Sequence, residues 1–267
     1  MRSTWKARWS LRLVALAYLA FLLVIPIGLV FWRTFEDGLK PVVDALTSHS
    51  VLHAFRVTII VALWTVVLNT VFGVGAAILL VRHRFPGKRL LSAMVDLPLA
   101  VSPVVVGLAL ILVYGKFSPV GGFLQDNGFQ VIFALPGMVL ATVFVSLPLV
   151  VREVAPVLEE VGVDQEQAAW TLGASRMQAF RRITLPAIKW ALGYGIVLTL
   201  ARALGEFGAV AVVSGRLVDK TQTVTLVVDQ SFQNFDQTTA YTASMALALI
   251  AIVILIVINL LRRRQPA

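Results

Sequence analysis

The sequence predicts an all-α membrane protein with six transmembrane helices. Hydrophobic residues make up 58% of its 267 residues and charged residues only 14%, whereas a soluble domain is about half apolar and a quarter charged. The apolar residues lie in six long blocks, and a helix of about 20 residues crosses a bilayer core of about 30 Å. Helices are required there because lipid offers no partner to free backbone groups. The blocks cover residues 13–32, 57–81, 97–114, 131–151, 191–213 and 240–261.

The basic residues predict how these helices are oriented. Sixteen of the 23 Lys and Arg residues lie before residue 13, in 82–89, in 152–189 or after residue 261, and six lie in the alternate connections. The positive-inside rule therefore places both termini in the cytoplasm. We attribute the net charge of +9 to this orientation and not to nucleic-acid binding.

The chain divides into three predicted parts. Residues 1–56 form an N-terminal tail, a first span and an external loop, because the first block is longer than the apolar core of a signal peptide. Residues 57–261 form the main transmembrane domain, and residues 262–267 form a basic cytoplasmic tail. Turn-forming residues in 117–128 and polar residues in 214–239 predict two further external loops.

The predicted cytoplasmic connection between the fourth and fifth blocks should contain two short helices. Asp164 and Gln167 are spaced as a capping box that begins the first helix, and Gly173 stands where that helix would end. Ser175 and Gln178 form a second capping-box pattern. This segment is either a surface hairpin that only links two spans or a compact knob that contacts another protein, and the pattern leaves both open.

Two polar features lie inside the predicted spans. Arg202 and Glu206 are four residues apart in the fifth block, so a continuous helix would place them on one face. Charges in a bilayer are costly unless they pair or face water, so this pair either fixes helix packing or lies on a solute pathway or gate. Pro98 and Pro103 leave backbone groups unpaired around Ser102, which indicates either a packing kink or a segment that lines a cavity.

Several catalytic and metal-binding patterns are absent from the sequence. Pro86-Gly87-Lys88 is the nearest approach to a phosphate-binding loop, but Arg82 occupies the position of its first glycine. There is no cysteine, which excludes disulfides and thiolate metal sites. His49, His53 and His83 fall in predicted loops, and the first two could bind a metal only if their loop were helical. We therefore predict no catalytic site and no metal site.

The segment 162–186, called the signature segment below, resembles the signature loop of binding-protein-dependent ABC importer permeases. That signature is Glu-Ala-Ala, three residues, Gly, nine residues and then Ile-x-Leu-Pro. Its elements occur at the same spacing here, with Gln167 in place of the family's Glu and with Glu166 beside it. The resemblance implies the type I ABC importer permease architecture, with a helical hairpin that couples to an ATPase. The residues that it implicates in coupling are Gln167, Ala168, Ala169, Leu172, Gly173, Ala174, Ser175, Ile183, Leu185 and Pro186.

Three further segments narrow the resemblance. Residues 100–105, 151–157 and 202–215 look like sulfate/thiosulfate permease subunits, most of all the CysW type. Molybdate permeases share the Gly-Glu-Phe-Gly run at 205–208, so that run alone does not identify the anion that is transported. Together with the polar features above, the resemblance makes four residues the candidates for the translocation pathway or its gate. These residues are Ser102, Pro103, Arg202 and Glu206.

The resemblance also implies an assembly in the bacterial cytoplasmic (inner) membrane. This chain, surrounded by lipid, and a homologous second permease subunit would form the pathway for sulfate or thiosulfate. Two ATP-binding subunits would drive transport, and an external sulfate-binding protein would deliver the anion. ATP and Mg²⁺ would bind to the partner subunits, so this chain itself is expected to hold no cofactor and to catalyse no reaction. The alternatives are a permease for molybdate or a related oxyanion and, from other classes, a self-sufficient ion-coupled carrier or an intramembrane enzyme.

Overall fold

A computed structural model describes the backbone of residues 5–262, and within this range the chain is helical with no β-strand. Residues 1–4 and 263–267, which include most of the predicted basic tail, lie outside the described residues. Two π-helical turns, Ala20–Val24 and Phe180–Thr184, connect helices that are otherwise continuous. The α-helices are α1 (Trp5–Leu19), α2 (Ile25–Phe35), α3 (Leu39–Thr47), α4 (His49–Arg82), α5 (Lys88–Ala100), α6 (Pro103–Tyr114), α7 (Pro119–Asp126), α8 (Leu135–Val161), α9 (Asp164–Thr171), α10 (Arg176–Ala179), α11 (Leu185–Leu204), α12 (Gly208–Val213), α13 (Val224–Gln233) and α14 (Gln237–Arg262).

Five helical stretches of the described chain are long and apolar enough to cross a membrane. The pair α5 and α6 passes the same test together, although its two helices are bent by 116°. Counting this pair as one span gives six candidate spans. The helical membrane fold is confirmed. The count of six and the orientation stay predictions. The five stretches are Arg12–Phe35, His49–Arg82, Leu135–Val161, Arg176–Leu204 and Gln237–Asn259.

Both π-helical turns precede a proline. Pro26 is the second residue of α2, and Pro186 is the second residue of α11. A proline ring clashes with the carbonyl four residues earlier and removes one hydrogen bond, and a wider turn accommodates both effects. Pro186 therefore opens the fifth span without ending the helix, and Arg176–Leu204 is one continuous stretch of 29 residues.

Helices α4, α8 and α11 form the packed centre of the molecule. A Cβ added to Gly73 of α4 would lie 2.8 Å from the Val150 Cβ of α8, and one added to Gly195 of α11 would lie 3.2 Å from the Val150 Cα. The two glycines thus let three helices meet at Val150, as small residues commonly do in membrane bundles. One turn away, Asn69 Nδ2 donates to Ser146 Oγ at 2.8 Å, so a buried polar contact also joins α4 to α8.

The three segments predicted as external loops contain the helices α3, α7 and α13. The segment around α13 is also folded into the protein, since Val224, Leu226, Thr221 and Gln222 are buried. The Val224 N–H donates to Thr58 Oγ1 of α4 at 3.0 Å, which ties the start of α13 to a transmembrane helix. A polar composition does not prevent burial when the protein itself supplies hydrogen-bond partners, so this predicted external loop is a folded part of the protein, and its position outside the membrane stays a prediction.

Helix α4 begins earlier than predicted. It starts at His49, so His49 and His53 lie on its first turns and not in a loop. Their ring centroids are 6.4 Å apart, and His49 Nε2 lies 3.9 Å from Asp219 Oδ1. No group of three or more His, Cys, Asp or Glu residues that could hold a metal ion occurs in the part of the chain that the structure describes. His49 and His53 therefore have the helical spacing of two metal ligands, but the described residues form no group of three or more ligands with them.

Candidate functional site

The third predicted span is broken at Ser102. Helix α5 ends at Ala100 and α6 begins at Pro103, and the intervening Val101 and Ser102 are extended, with ψ angles of 135° and 134°. The residue before a proline disfavours the α conformation, so Pro103 sets the position of the break. Pro98, by contrast, lies inside α5 without ending it. The interruption expected from the two prolines is therefore present, and it is a sharp turn of the chain.

The fifth predicted span, residues 191–213, is broken at Glu206, just beyond the end of the continuous stretch Arg176–Leu204. Helix α11 ends at Leu204 and α12 begins at Gly208, so Arg202 and Glu206 do not share the face of one helix, and that prediction was wrong. Glycines at positions 205 and 208 weaken a continuous helix here. The ion pair forms nevertheless, because Arg202 Nη1 lies 2.6 Å from Glu206 Oε2.

Several contacts hold Glu206 in place. Its Oε1 accepts the Ala209 N–H at 2.9 Å at the start of α12, and its carbonyl oxygen accepts a hydrogen bond from Thr225 Oγ1 at 2.9 Å. The Glu206 side chain is 1% exposed, whereas the Arg202 side chain is 37% exposed. The carboxylate thus holds the break together, while the side chain of the paired Arg202 stays partly exposed.

The two breaks pack against each other. A Cβ on Gly208 would lie 3.0 Å from the Pro103 Cβ, and one on Gly107 would lie 2.8 Å from the Val212 Cβ and 2.9 Å from the Ala209 carbonyl oxygen. Helices α6 and α12 can approach this closely because each has a glycine at the crossing. The structure therefore brings together the polar elements that the sequence placed in the third and fifth spans. Discontinuous helices of this kind line the substrate sites of many transporters.

The signature segment folds as two helical pieces joined by a tight turn. Gly173 has a φ of 87°, a left-handed conformation that glycine adopts at low cost. The Gln178 N–H donates to Ser175 Oγ at 3.3 Å, and the Ser175 N–H donates to Gln178 Oε1 at 2.8 Å, so the second capping box is confirmed. The first was wrong, because Asp164 lies within α9, whose N-cap is Val163 with no side-chain cap bond.

The turn of the signature segment presents apolar side chains on the surface. Leu172 is 88% exposed, and Trp170 and Met177 are also exposed. Beside Leu172 lies a shallow groove of about 360 Å³ that Gln178 and Arg182 help to line. The three apolar residues lie close together along the chain, at the turn around Gly173. Of the residues predicted for coupling, Gln167, Ala168, Leu172, Gly173, Ser175 and Pro186 are exposed, whereas Ala169, Ala174, Ile183 and Leu185 are partly buried.

Sequence reasoning missed the residue that attaches α9 to the transmembrane helices. Glu166 Oε1 lies 3.2 Å from Arg82 Nη2 at the end of α4 and accepts a hydrogen bond from Thr184 Oγ1 at 2.8 Å. Gln167, at the position of the family's Glu, is exposed. Successive helix residues point about 100° apart, so residue 166 faces inward where residue 167 faces outward. The carboxylate next to Gln167 was the available signal, but Arg82 lies 84 residues away and creates no local pattern.

These features define a helical membrane protein with several spans, two breaks that pack against each other and an exposed apolar turn. Its sequence over residues 69–265 matches the family described as "Binding-protein-dependent transport system inner membrane component". This match covers well over half of the chain. The chain therefore belongs to the family of inner membrane components of binding-protein-dependent transport systems.

Individual relatives and one solved structure agree with this assignment. The chain is 46% identical over 261 residues to "Sulfate transport system permease protein CysW" of Synechocystis sp., which covers 98% of this chain and 95% of the relative. It is 36% identical over 250 residues to "Sulfate transport system permease protein CysT" of Salmonella typhimurium, which covers 94% and 90%. A chain of a bacterial ABC transporter involved in the import of the acidic polysaccharide alginate superimposes with a TM-score of 0.79, at 17% identity and over 97% of this chain and 96% of that chain. The last comparison bears on the fold alone.

Proposed function

We propose that this chain is a permease subunit of an ATP-binding-cassette importer that moves sulfate or thiosulfate into the cell. Its family membership and its 46% identity to a CysW sulfate permease support the proposal. The structural observation that carries it is the signature segment, where Gly173 turns the chain and leaves Leu172 exposed for contact with another protein. In this proposal an ATP-binding subunit makes that contact.

The proposed assembly contains several chains in the cytoplasmic (inner) membrane of a bacterium. This chain pairs with a homologous permease subunit, two ATP-binding subunits drive transport, and an external sulfate-binding protein delivers the anion. The similarity to relatives named CysW and CysT supports two related kinds of permease subunit. ATP and Mg²⁺ belong to the ATP-binding subunits, and this chain contributes a pathway and a docking surface without catalysing a reaction itself.

The pathway residues of this proposal are those at the two broken spans, Ser102 and Pro103 in one and Arg202 and Glu206 in the other. An anion that leaves water is stabilised by a nearby positive charge, but an isolated fixed arginine would retain it. Glu206 lies 2.6 Å from Arg202 and neutralises that charge at rest. The partly exposed guanidinium can still meet an anion, and a shift of the break that separates the pair would strengthen the attraction in one conformation only.

Reconstitution of the whole complex tests this function. We expect proteoliposomes that contain this chain, its permease partner, the ATP-binding subunits and the sulfate-binding protein to take up radiolabelled sulfate only with ATP. Thiosulfate should compete, and molybdate should compete less well. Uptake driven by an ion gradient without ATP would identify an ion-coupled carrier instead. Stronger transport of molybdate than of sulfate would contradict the proposed substrate.

The proposed orientation can be tested on the membrane-embedded chain because it has no native cysteine. Cysteines at His83 and Ser175 should be shielded from an impermeant label added outside the cell, and cysteines at Gln125 and Gln233 should react. All four residues are exposed in the structure, so burial does not distort the comparison. External labelling of S175C would reverse the proposed orientation of the signature segment.

A further inference from the structure

Glu166 connects the signature segment to two transmembrane helices at once. Arg82 is the last residue of α4, and Thr184 directly precedes α11. Glu166 Oε1 contacts Arg82 Nη2 at 3.2 Å and Thr184 Oγ1 at 2.8 Å. The Arg82 and Glu166 side chains are only 10% and 12% exposed, so water screens this ion pair weakly. A displacement of α9 must therefore either break these contacts or move both helices.

The first of these helices leads to the broken fifth span. Arg82 and Thr58 are 24 residues apart in the continuous helix α4, a distance of about 36 Å along its axis. At that far end, Thr58 Oγ1 accepts the Val224 N–H at 3.0 Å. Thr225, the next residue, donates to the Glu206 carbonyl oxygen at 2.9 Å. Helix α4 thus links the contacts of Glu166 to those of Glu206.

The second helix reaches the same place by a direct route. The chain is helical without interruption from Thr184 to Leu204. Arg202, in its last turn, lies 2.6 Å from Glu206. The two routes therefore start at one carboxylate, the partly buried Glu166, and end at another, the buried Glu206.

The contact between Glu166 and Arg82 can adopt a second arrangement. Arg82 Nε is buried without a hydrogen-bond partner among the described residues, and an unpaired buried donor is energetically costly. An arrangement in which Nε also binds the carboxylate would remove that cost. A cavity of about 850 Å³ beside this contact, which Arg82, Glu166, Trp170 and Thr184 help to line, gives α9 space to shift.

We propose that Glu166 is a positioning residue that transmits displacement of the signature segment to the broken fifth span through α4 and α11. The inference rests on the proposed function, because the ATP-binding subunits supply the displacement. When they move α9, the Glu166 carboxylate carries Arg82 and Thr184 with it, so both helices shift together at Glu206. Gln167 faces outward and is not part of this link.

The test compares coupling with assembly in the reconstituted complex. E166Q keeps the size of the side chain and an oxygen that can accept from Thr184, but it loses the ion pair. We expect at least about a fivefold fall in sulfate molecules transported per ATP hydrolysed, at the low end of the effects known for coupled sites. Co-purification of the ATP-binding subunits should be unchanged. T184V, which removes only the hydroxyl hydrogen bond, should change the ratio in the same direction by less.

Two further variants separate transmission from stability. R82M/E166Q leaves no unpaired buried charge, so we expect it to assemble normally and to stay uncoupled. D164N removes the other acidic residue of α9, which is exposed, and should keep the parental ratio. A parental ratio in E166Q, or full recovery of the ratio in R82M/E166Q, would overturn the proposal, because a purely structural ion pair would show one of these results.

A second readout does not require sulfate transport. In the parent complex, ATP should change the rate at which S102C at the break of the third span reacts with a thiol label, and E166Q should abolish that change. If the parent responds to ATP, E166Q does not, and neither complex moves sulfate, the proposed substrate is wrong and the role of Glu166 is upheld. An unaltered response in E166Q would refute the role of Glu166 whichever anion is transported.

Discussion

Two carboxylates, the partly buried Glu166 and the buried Glu206, both pair with arginine, but they hold different kinds of structure together. Glu206 meets Arg202 four residues earlier and also accepts the Ala209 N–H, so the contacts of its carboxylate are local and stabilise one break. Glu166 meets Arg82, 84 residues earlier, so its contact joins elements that are far apart in the chain. The comparison teaches that one kind of ion pair can fix a local break or connect distant elements. The surrounding contacts decide which role it has.

The largest effect is expected when Glu206 is truncated. Glu206→Ala removes the partner of Arg202 and the acceptor of the Ala209 N–H. Breaking a fully buried ion pair costs about 3–5 kcal/mol, and because solvent screens the Arg202 side chain, which is 37% exposed, the cost here should fall below that range. Thermal unfolding of the purified subunit in detergent should show a large loss of stability. Glu160→Ala, at an exposed acidic residue of α8, serves as control and should stay within about 0.5 kcal/mol of the parent. Equal stabilities of the two variants would show that the pair contributes little.

The double variant Arg202→Met with Glu206→Met tests whether that pair also serves transport. Removing both charges avoids the cost of one unpaired charge, so folding should recover relative to either single variant. If the pair lies on the pathway, the complex should assemble and yet transport sulfate poorly. The measurement is ATP-driven uptake at matched amounts of assembled complex. Full recovery of uptake would show that the pair is structural only.

A smaller effect on stability and a selective effect on docking are expected at the turn of the signature segment. Gly173→Val places a β-branched side chain at a φ of 87°, where a residue with a Cβ is strained by about 1–2 kcal/mol. The chain should still insert in the membrane but should lose co-purification with the ATP-binding subunits. Gly173→Asn is the matched control, because Asn tolerates this conformation, and it should dock better than the valine variant. Unchanged co-purification of Gly173→Val would contradict the proposed docking site.

The smallest effect is expected from Gln167→Glu, which restores the residue that the family signature has at this position. Gln167 is exposed, and exposed substitutions away from special features usually change stability by less than about 0.5 kcal/mol. We expect stability and the ratio of sulfate transported to ATP hydrolysed to stay at parental values. A changed ratio would show that residue 167 shares the role proposed for Glu166.

The sequence predicted the helical membrane fold and the second capping box because these depend on local composition and spacing. It also identified Arg202 and Glu206 as a pair, although it placed them on a continuous helix. The break between them depends on tertiary packing, where Gly208 approaches Pro103 of another helix. The contacts of Glu166 were missed for the same reason, since its partner Arg82 is set by the fold and not by neighbouring residues.

The π-helical turn at Phe180–Thr184 has a consequence for the evolution of this segment. Such a turn contains one residue more than the α-helical turn it replaces, and each residue of an α-helix rotates the chain by about 100°. Deleting one residue there would therefore rotate the exposed Leu172 by about 100° around the axis of α11. No other residue would have to be substituted for this to happen. The length of this turn, as much as its composition, sets the orientation of the signature segment, so insertions and deletions should be tolerated less well here than substitutions.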